Sequence, residues 1–301
     1  MLLAALWLWL APARGASIAA REGAPVRTVR AVARDMPRYV DTVGTVQAFN
    51  TVVVRSRVDG EIGRIAFREG RIVRKGDVLV ELDRRPYEAQ LRLAIAQEEK
   101  DRALLDNAQV DLARYEQLMQ TDSTSRQTLD TARSLVRQLE ATVKADAAQA
   151  DAAKLQVEYA TIRAPIDGRT GARLVDIGNM VRTTDTGGLV VVTQLDPIFV
   201  SFSLPQETLP LLRASQAVGS STVTALSQNG SSVQGRGKLT LVDNQVDSAT
   251  GTIRCKATLP NSNETLWPGQ FVTARVLLET IRNVVVVPTA AVQSGPEGAF
   301  V

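Results

Sequence analysis

The period of apolar and polar positions changes twice along the chain. Residues 52–82 read VVVRSRVDGEIGRIAFREGRIVRKGDVLVEL, and residues 160–192 read ATIRAPIDGRTGARLVDIGNMVRTTDTGGLVVV. Both are short apolar runs broken by Asp-Gly or Gly, the pattern of strands joined by tight turns. The two segments are copies of one another. Val58-Asp59-Gly60, Gly63, Gly70 and Val73-Arg74 recur as Ile166-Asp167-Gly168, Gly171, Gly178 and Val181-Arg182, with one constant offset throughout. About four strands per copy are too few to bury both faces alone, so the copies are expected to pair as a small sandwich. Gly60, Gly63, Gly70, Gly168, Gly171 and Gly178 are its expected structural turns, placed where positive φ is needed.

Between the copies the period becomes helical. From Pro86 to about Gln156 there is no glycine and no further proline, and Ala, Leu, Gln, Glu and Arg dominate. Pro86 suits a first helical turn. Leu91, Leu105, Leu112 and Met119 recur at heptad spacing, with Ala94, Ala108 and Tyr115 between them. Ala132, Val136, Leu139, Val143, Ala150 and Val157 continue the alternation in a second arm. Thr121-Asp122-Ser123-Thr124-Ser125 interrupts it and offers N-cap chemistry. The expected element is an antiparallel coiled-coil hairpin turning near Asp122, with arms of about 30 residues and ~45 Å. Glu98 and Asp101 fall on its seam, where packing should be weaker. The outward face is left for self-packing or a partner.

From Leu195 the alternation is again β, in IFVSFSLP, STVTAL, GRGKLTLV, GTIRCKATL and GQFVTARVLL, with a helical stretch over 206–217. Six or so strands with one helix predict a small closed or nearly closed barrel, to which PRYVDTVGTVQAF near the start could add a strand. Residues 284–301 pair most naturally with residues 26–33 as a terminal module. Positions 1–16, MLLAALWLWLAPARGA, read as a secretory signal peptide, with Ala11-Pro12-Ala13 as the small-residue cleavage pattern and no preceding Lys or Arg. The last residues read as a chain cut inside a domain.

Composition narrows the chemistry. The 301 residues and 45% hydrophobic content support folded cores for about two domains. Histidine is absent, which removes imidazole bases, Ser-His-Asp and Cys-His catalysis and His-ligated zinc. The one cysteine, Cys255, can form neither an internal disulfide nor a CxxC site, and its strand setting suits an inert core thiol. Met1, Met36, Met119 and Met180 are scattered, against a soft-metal site. A net charge of +3 and 4% aromatic content argue against nucleic acid. Arg64, Arg68, Arg71 and Arg74 read as a solvated strand face, and Asp243 and Asp247 as members of a turn-rich loop. No catalytic residue, metal site or cofactor is expected.

Taken together, the split halves RVDGEIGRIAFREGRIVRKGDVLVELD and ATIRAPIDGRTGARLVDIGNMV, the segment LDPIFVSFSLP, and LWPGQFVTARV followed by VVVVPTAAV resemble the periplasmic adaptor subunits, or membrane fusion proteins, of resistance-nodulation-division multidrug efflux pumps, in the HlyD superfamily. The resemblance covers essentially the whole mature chain. It implies a non-enzymatic periplasmic protein associated with the inner membrane of a Gram-negative bacterium. Its implied partners are a proton-driven inner-membrane transporter, a TolC-like outer-membrane channel and further copies of itself, six per pump. The family's hairpin tip carries an Arg-x3-Leu-x6-Ser pattern that engages the channel, matched here by Arg114, Leu118 and Ser125. An alternative places Leu118 in the hairpin core and leaves Arg114 a solvated charge.

The expected fold is mainly β with a long α-helical insert, an elongated multi-domain chain. Its parts are a signal peptide (1–16), an incomplete membrane-proximal domain (26–36 with 281–301), a β-barrel (37–50 with 196–280), a lipoyl-like sandwich (51–85 with 157–195) and the hairpin (86–156). A lipoyl-like half invites the question whether Lys75 is a modified swinging arm. The helical insert at the midpoint and Thr183 as its repeat partner make it an exposed turn residue instead. The alternatives are an adaptor of a type I secretion or ATP-driven exporter, a carrier subunit with a modified Lys75, and a hydrolase, for which no nucleophile–base pair stands out.

Overall fold

A computed structural model describes residues 28–217, 219 and 221–300. The signal-like segment and residues 26 and 27 lie outside them. The fold is mainly β with a long helical hairpin.

The first copy of the repeat supplies the end of β1 (Val32–Val54), then β2 (Gly60–Ile65), β3 (Ile72–Val73) and β4 (Val78–Leu82). Two helices follow, α1 (Arg85–Gln120) and α2 (Arg126–Tyr159). The second copy then supplies β5 (Thr161–Arg163), β6 (Gly168–Arg173), β7 (Met180–Val181) and the start of β8 (Val190–Pro205). The copies interlock: β2 pairs with β4 and β7, β4 with β5, β3 with β6, and β6 with β8.

The repeat extends to individual hydrogen bonds. Lys75 N donates to Asp167 Oδ1 at 2.7 Å, and Thr183 N donates to Asp59 Oδ1 at 2.7 Å. Arg74 N and Arg182 N each donate to the aspartate three positions on, Asp77 and Asp185, at 2.8 Å. Each half thus caps a turn of the other, and neither closes alone. The shared core includes Ile62, Leu79, Val80, Val181, Val190 and Val192, all nearly or fully buried. Burying one such side chain is worth ~1.5–3 kcal/mol.

Of the six expected turn glycines, Gly70 (φ 67°) and Gly178 (φ 87°) take the left-handed conformation. Gly60, Gly63, Gly168 and Gly171 do not; they lie inside β2 and β6. Gly168 is required for a different reason. A Cβ there would sit 2.6 Å from the Thr193 carbonyl oxygen on β8.

The chain continues through α3 (Leu209–Ala217), β9 (Thr222–Leu226), β10 (Val233–Asp247), β11 (Thr252–Leu259) and β12 (Phe271–Val286). Strands β1, β12, β9, β10, β11 and β8 neighbour one another in that order, and β8 pairs back onto β1. Six strands therefore close a barrel, which removes exposed sheet edges. Ile198, Val200, Leu204, Leu259 and Val272 fill it, and Leu212 of α3 joins the same core. Strands β1 and β8 serve both layers, in register from Gly44↔Phe202 to Val54↔Val190. A bulge between Ala48 and Asn50 marks the passage from barrel to sandwich. Asp243 and Asp247 lie within β10 and not in a loop; β10 is irregular between Val242 and Val246.

Residues 28–37 and 280–300 form a second, smaller unit. Within it Asn283, at φ 55°, donates its backbone N–H to Asp35 Oδ1 at 3.0 Å. Strands β13 (Gln293–Gly295) and β14 (Gly298–Phe300) pair with each other.

Candidate functional site

The hairpin is longer than its sequence period suggests, at 36 and 34 residues, or ~50 Å per arm. At its root, Asp83 accepts Arg85 N at 3.0 Å and the Arg85 side chain at 2.6 Å. That pairing lowers the Asp83 carboxyl to about 2, and the negative charge suits a helix N-terminus. The Tyr87 hydroxyl donates to the Asp59 carbonyl, tying α1 to the sandwich.

The seam keeps an unbroken three–four alternation. Along α1 the least exposed positions include Leu91, Ala94, Glu98, Asp101, Leu105, Ala108, Leu112, Tyr115 and Met119. Facing them on α2 are Leu129, Ala132, Val136, Leu139, Val143, Asp146, Ala150, Ala153 and Val157. Alanine at several seam positions lets the helices approach closely but offers little apolar area, so the seam is modestly stabilised for its length. Asp146 does not show in the apolar period, which passes over it from Val143 to Ala150.

At the tip, Arg114 and Leu118 sit one turn apart on α1, beside the seam and outside it. The Arg114 side chain is 65% exposed and forms an i,i−3 ion pair with Asp111 at 3.1 Å. Leu118 is 37% exposed, while the adjacent seam positions Tyr115 and Met119 are half-buried. Leu118 therefore lies one position off the seam line and faces solvent in part, and Arg114 is a solvated charge. The Leu118 carbonyl accepts from Ser123 N at 2.9 Å and from Thr121 Oγ1 at 3.0 Å, which folds the turn back over α1. Asp122 takes φ 50° at the turn, a conformation that aspartate tolerates better than most residues.

Ser125 has a role the tip motif alone does not reveal. It is the N-cap of α2, and its Oγ accepts from Thr128 N at 3.1 Å. The hydroxyl also lies 2.8 Å from Thr128 Oγ1. A partner would meet it as part of a cap. Glu116 and Arg133 form an ion pair at 3.2 Å that crosses between the helices. Sequence reasoning misses this pair and Thr128, because neither belongs to the apolar period of the seam.

A cleft of about 870 Å³ opens at the hairpin root, lined in part by Arg55, Arg57, Arg84, Arg163 and Tyr159. Its guanidinium groups are largely engaged within the chain. Arg57 stacks on Tyr159 at 5.2 Å, Arg163 donates to the Gly76 carbonyl and Arg55 to the Thr186 carbonyl, both at 2.9 Å. Lys75 occupies an exposed turn. Cys255 is fully buried in the barrel, and burial pushes its thiol up to about 11, away from nucleophilic use. Among the described residues no cluster of His, Cys, Asp and Glu could hold a metal ion, and no helix is long and apolar enough to cross a membrane.

Residues 50–193 match the family described as "RND MFP, barrel-sandwich hybrid domain", and residues 197–280 match "RND MFPs, beta-barrel domain". The chain is 47% identical over 283 residues to the Multidrug resistance protein MdtA of Yersinia pseudotuberculosis, covering 92% of this chain and 64% of that one. It is 45% identical to MdtA of Escherichia coli, covering 92% of this chain and 67% of that one. The chain thus spans about 64% of the length of the Yersinia relatives it matches. Its fold is similar to a MacA-MexA chimera carrying the Pseudomonas aeruginosa MexA α-hairpin, with TM-score 0.59, 22% identity and coverage of 87% and 88% of the two chains. It is also similar to MacA of Actinobacillus actinomycetemcomitans, with TM-score 0.53, 22% identity and coverage of 89% and 87%. With a hairpin carried on interlocked half-modules, a six-stranded barrel beside them and both family matches in that order, the chain belongs to the membrane fusion proteins of the resistance-nodulation-division systems.

Proposed function

We propose that this chain is the periplasmic adaptor of a tripartite, proton-driven multidrug efflux pump. In this reading it links an inner-membrane resistance-nodulation-division transporter to a TolC-like outer-membrane channel, and six copies surround the conduit. The observation that carries the reading is the solvent-exposed hairpin tip, held at the end of two ~50 Å helices whose roots are clamped by both half-modules. The adaptor performs no chemistry of its own. The transporter uses the proton gradient, and the adaptor supplies a sealed path and couples the movements at its two ends. Relatives named as multidrug resistance proteins support organic compounds as the cargo class.

Arg114 and Leu118 are the proposed contacts with the channel, with Ser125 shaping the turn beside them. The guanidinium fork suits carbonyl or carboxylate oxygens, and Leu118 offers apolar area next to it. Arg114→Asp is expected to leave the melting temperature unchanged, because the side chain is exposed. Losing a charge-assisted contact of ~1.5–3 kcal/mol should weaken channel binding on the order of 10–100-fold. The test expresses the full chain with its transporter in a Gram-negative strain deleted for its own adaptors, then measures drug resistance and tip–channel cross-linking. No resistance with the unmodified chain overturns the adaptor reading. Full resistance and cross-linking with Arg114→Asp overturn only the tip assignment.

A further inference from the structure

The hairpin seam carries a second feature that its apolar period does not explain. Midway along the two helices, three acidic residues occupy neighbouring seam positions. Glu98 and Asp101 come from α1 and Asp146 from α2. Glu98 is matched by Arg102 one turn on, at 2.9 Å. Asp101 is the most buried of the three, at 7% exposure, yet both its oxygens find positive or donor partners. Gln97 Nε2 donates to Oδ2 at 2.7 Å, and Lys100 Nζ lies 3.6 Å from Oδ1. The Asp146 carboxyl meets that of Asp101 across the seam, and its Oδ2 is buried with no hydrogen-bond partner.

Two ionised carboxylates cannot hydrogen-bond one another, and a buried acceptor without a donor is costly. One proton resolves both problems. It turns the orphaned Asp146 group into a donor toward Asp101, which already accepts from Gln97. We propose that Asp101 and Asp146 share a single proton taken from solvent, and that this proton closes the middle of the hairpin, so that the seam is tighter in acid than at neutral pH.

Burial and the neighbouring Asp101 carboxylate both push the Asp146 carboxyl above its ordinary value of 3.8; Glu98 adds to this and Lys100 opposes it. A carboxyl with a raised value in the folded state binds more protons than the unfolded chain. Its stabilising effect is complete below the ordinary value and is lost as pH rises through the raised one. The groups acting on Asp146 from α1 are Asp101, Lys100 and Glu98. This geometry stands independently of the pump assignment.

The test uses the full chain. Aspartate carboxyl carbons are labelled with carbon-13 and titrated by NMR, with Asp146→Asn identifying the Asp146 resonance by its disappearance. Hairpin melting is followed by far-ultraviolet circular dichroism between mildly acidic and mildly alkaline pH for the unmodified chain, Asp146→Asn and Asp101→Asn. The Asp146 resonance should titrate above the exposed aspartates. The gap in melting temperature between Asp146→Asn and the unmodified chain should be small in acid and widen as pH rises. Comparing the two chains removes pH effects from carboxylates elsewhere. An Asp146 resonance that titrates with the exposed aspartates overturns the proposal. So does a melting gap independent of pH in both variants. Should Asp146→Asn fail to fold, the titration of the unmodified chain, assigned through Asp101→Asn, decides alone.

Discussion

At Gly168 the demand for glycine comes from a neighbour and not from the backbone angle. A methyl group there would lie 2.6 Å from the Thr193 carbonyl oxygen and 2.8 Å from its carbon, both on β8. Strand β8 also forms a stave of the barrel, so it cannot yield locally. Gly70 is the opposite case. Its φ is 67°, and nothing lies within 4 Å of the position a Cβ would take. Gly168→Ala is expected to cost ~1–3 kcal/mol through overpacking against backbone, or a drop of roughly 2–4 °C in melting temperature per kcal/mol. Gly70→Ala carries only the left-handed penalty of ~1–2 kcal/mol and no clash. Thermal unfolding of both variants checks this. A larger loss at Gly70 than at Gly168 would return the requirement to positive φ.

At the scale of elements, the hairpin tip separates two roles that one residue combines. Ser125→Ala removes the N-cap acceptor for Thr128 N and should destabilise α2 by ~0.5–2 kcal/mol. Ser125→Asp keeps a capping oxygen and places a negative charge where the helix dipole favours it, so its helix should melt like the unmodified one. If channel binding falls with alanine and recovers with aspartate, Ser125 acts through the cap. If both variants bind poorly, the hydroxyl itself is a contact. Elements of this kind are largely legible in the sequence, because their physics is local or periodic. The heptad places Leu91, Ala108, Val136 and Val143 on the seam, and the short polar break places the turn. The repeated glycine and Asp-Gly spacing reveals the sandwich, because each half lacks the strands to close alone. Asp146 occupies the same three–four alternation as Glu98 and Asp101, but an apolar count running from Val143 to Ala150 omits it. The reason for glycine at Gly168 is equally hidden, because the close approach of β8, distant along the chain, leaves no local mark.

At the scale of the molecule, sandwich and barrel are joined by more than the strands they share. Arg169 on β6 forms an ion pair with Glu264 in the connection between β11 and β12, and its guanidinium lies 5.1 Å from the centre of the Trp267 ring. Both charged side chains are largely covered, with exposures of 31% and 29%, so the pair is less screened than a surface bridge. The repeat shows that Arg169 is particular to this junction, because its counterpart in the first copy is Glu61, of opposite charge. Nearby, Asn261 bridges Asp196, Leu195 and Leu266, fixing the loop that presents Glu264. If this bridge holds the half-modules and hairpin at one angle to the barrel, Arg169→Ala and Glu264→Ala should be strongly non-additive. A double-mutant cycle measured by thermal unfolding should return a coupling of ~0.5–3 kcal/mol. Trp267→Ala should weaken that coupling without abolishing it, since it removes the stacked surface and leaves the carboxylate. Additivity within about 0.3 kcal/mol would mean that the orientation is set by the continuity of β1 and β8 alone. In that case Arg169→Ala would leave drug efflux intact. With coupling present, the same variant should, on the proposed adaptor reading, reduce efflux while the tip residues remain unchanged, because a hairpin free to swing would meet the channel less often in register.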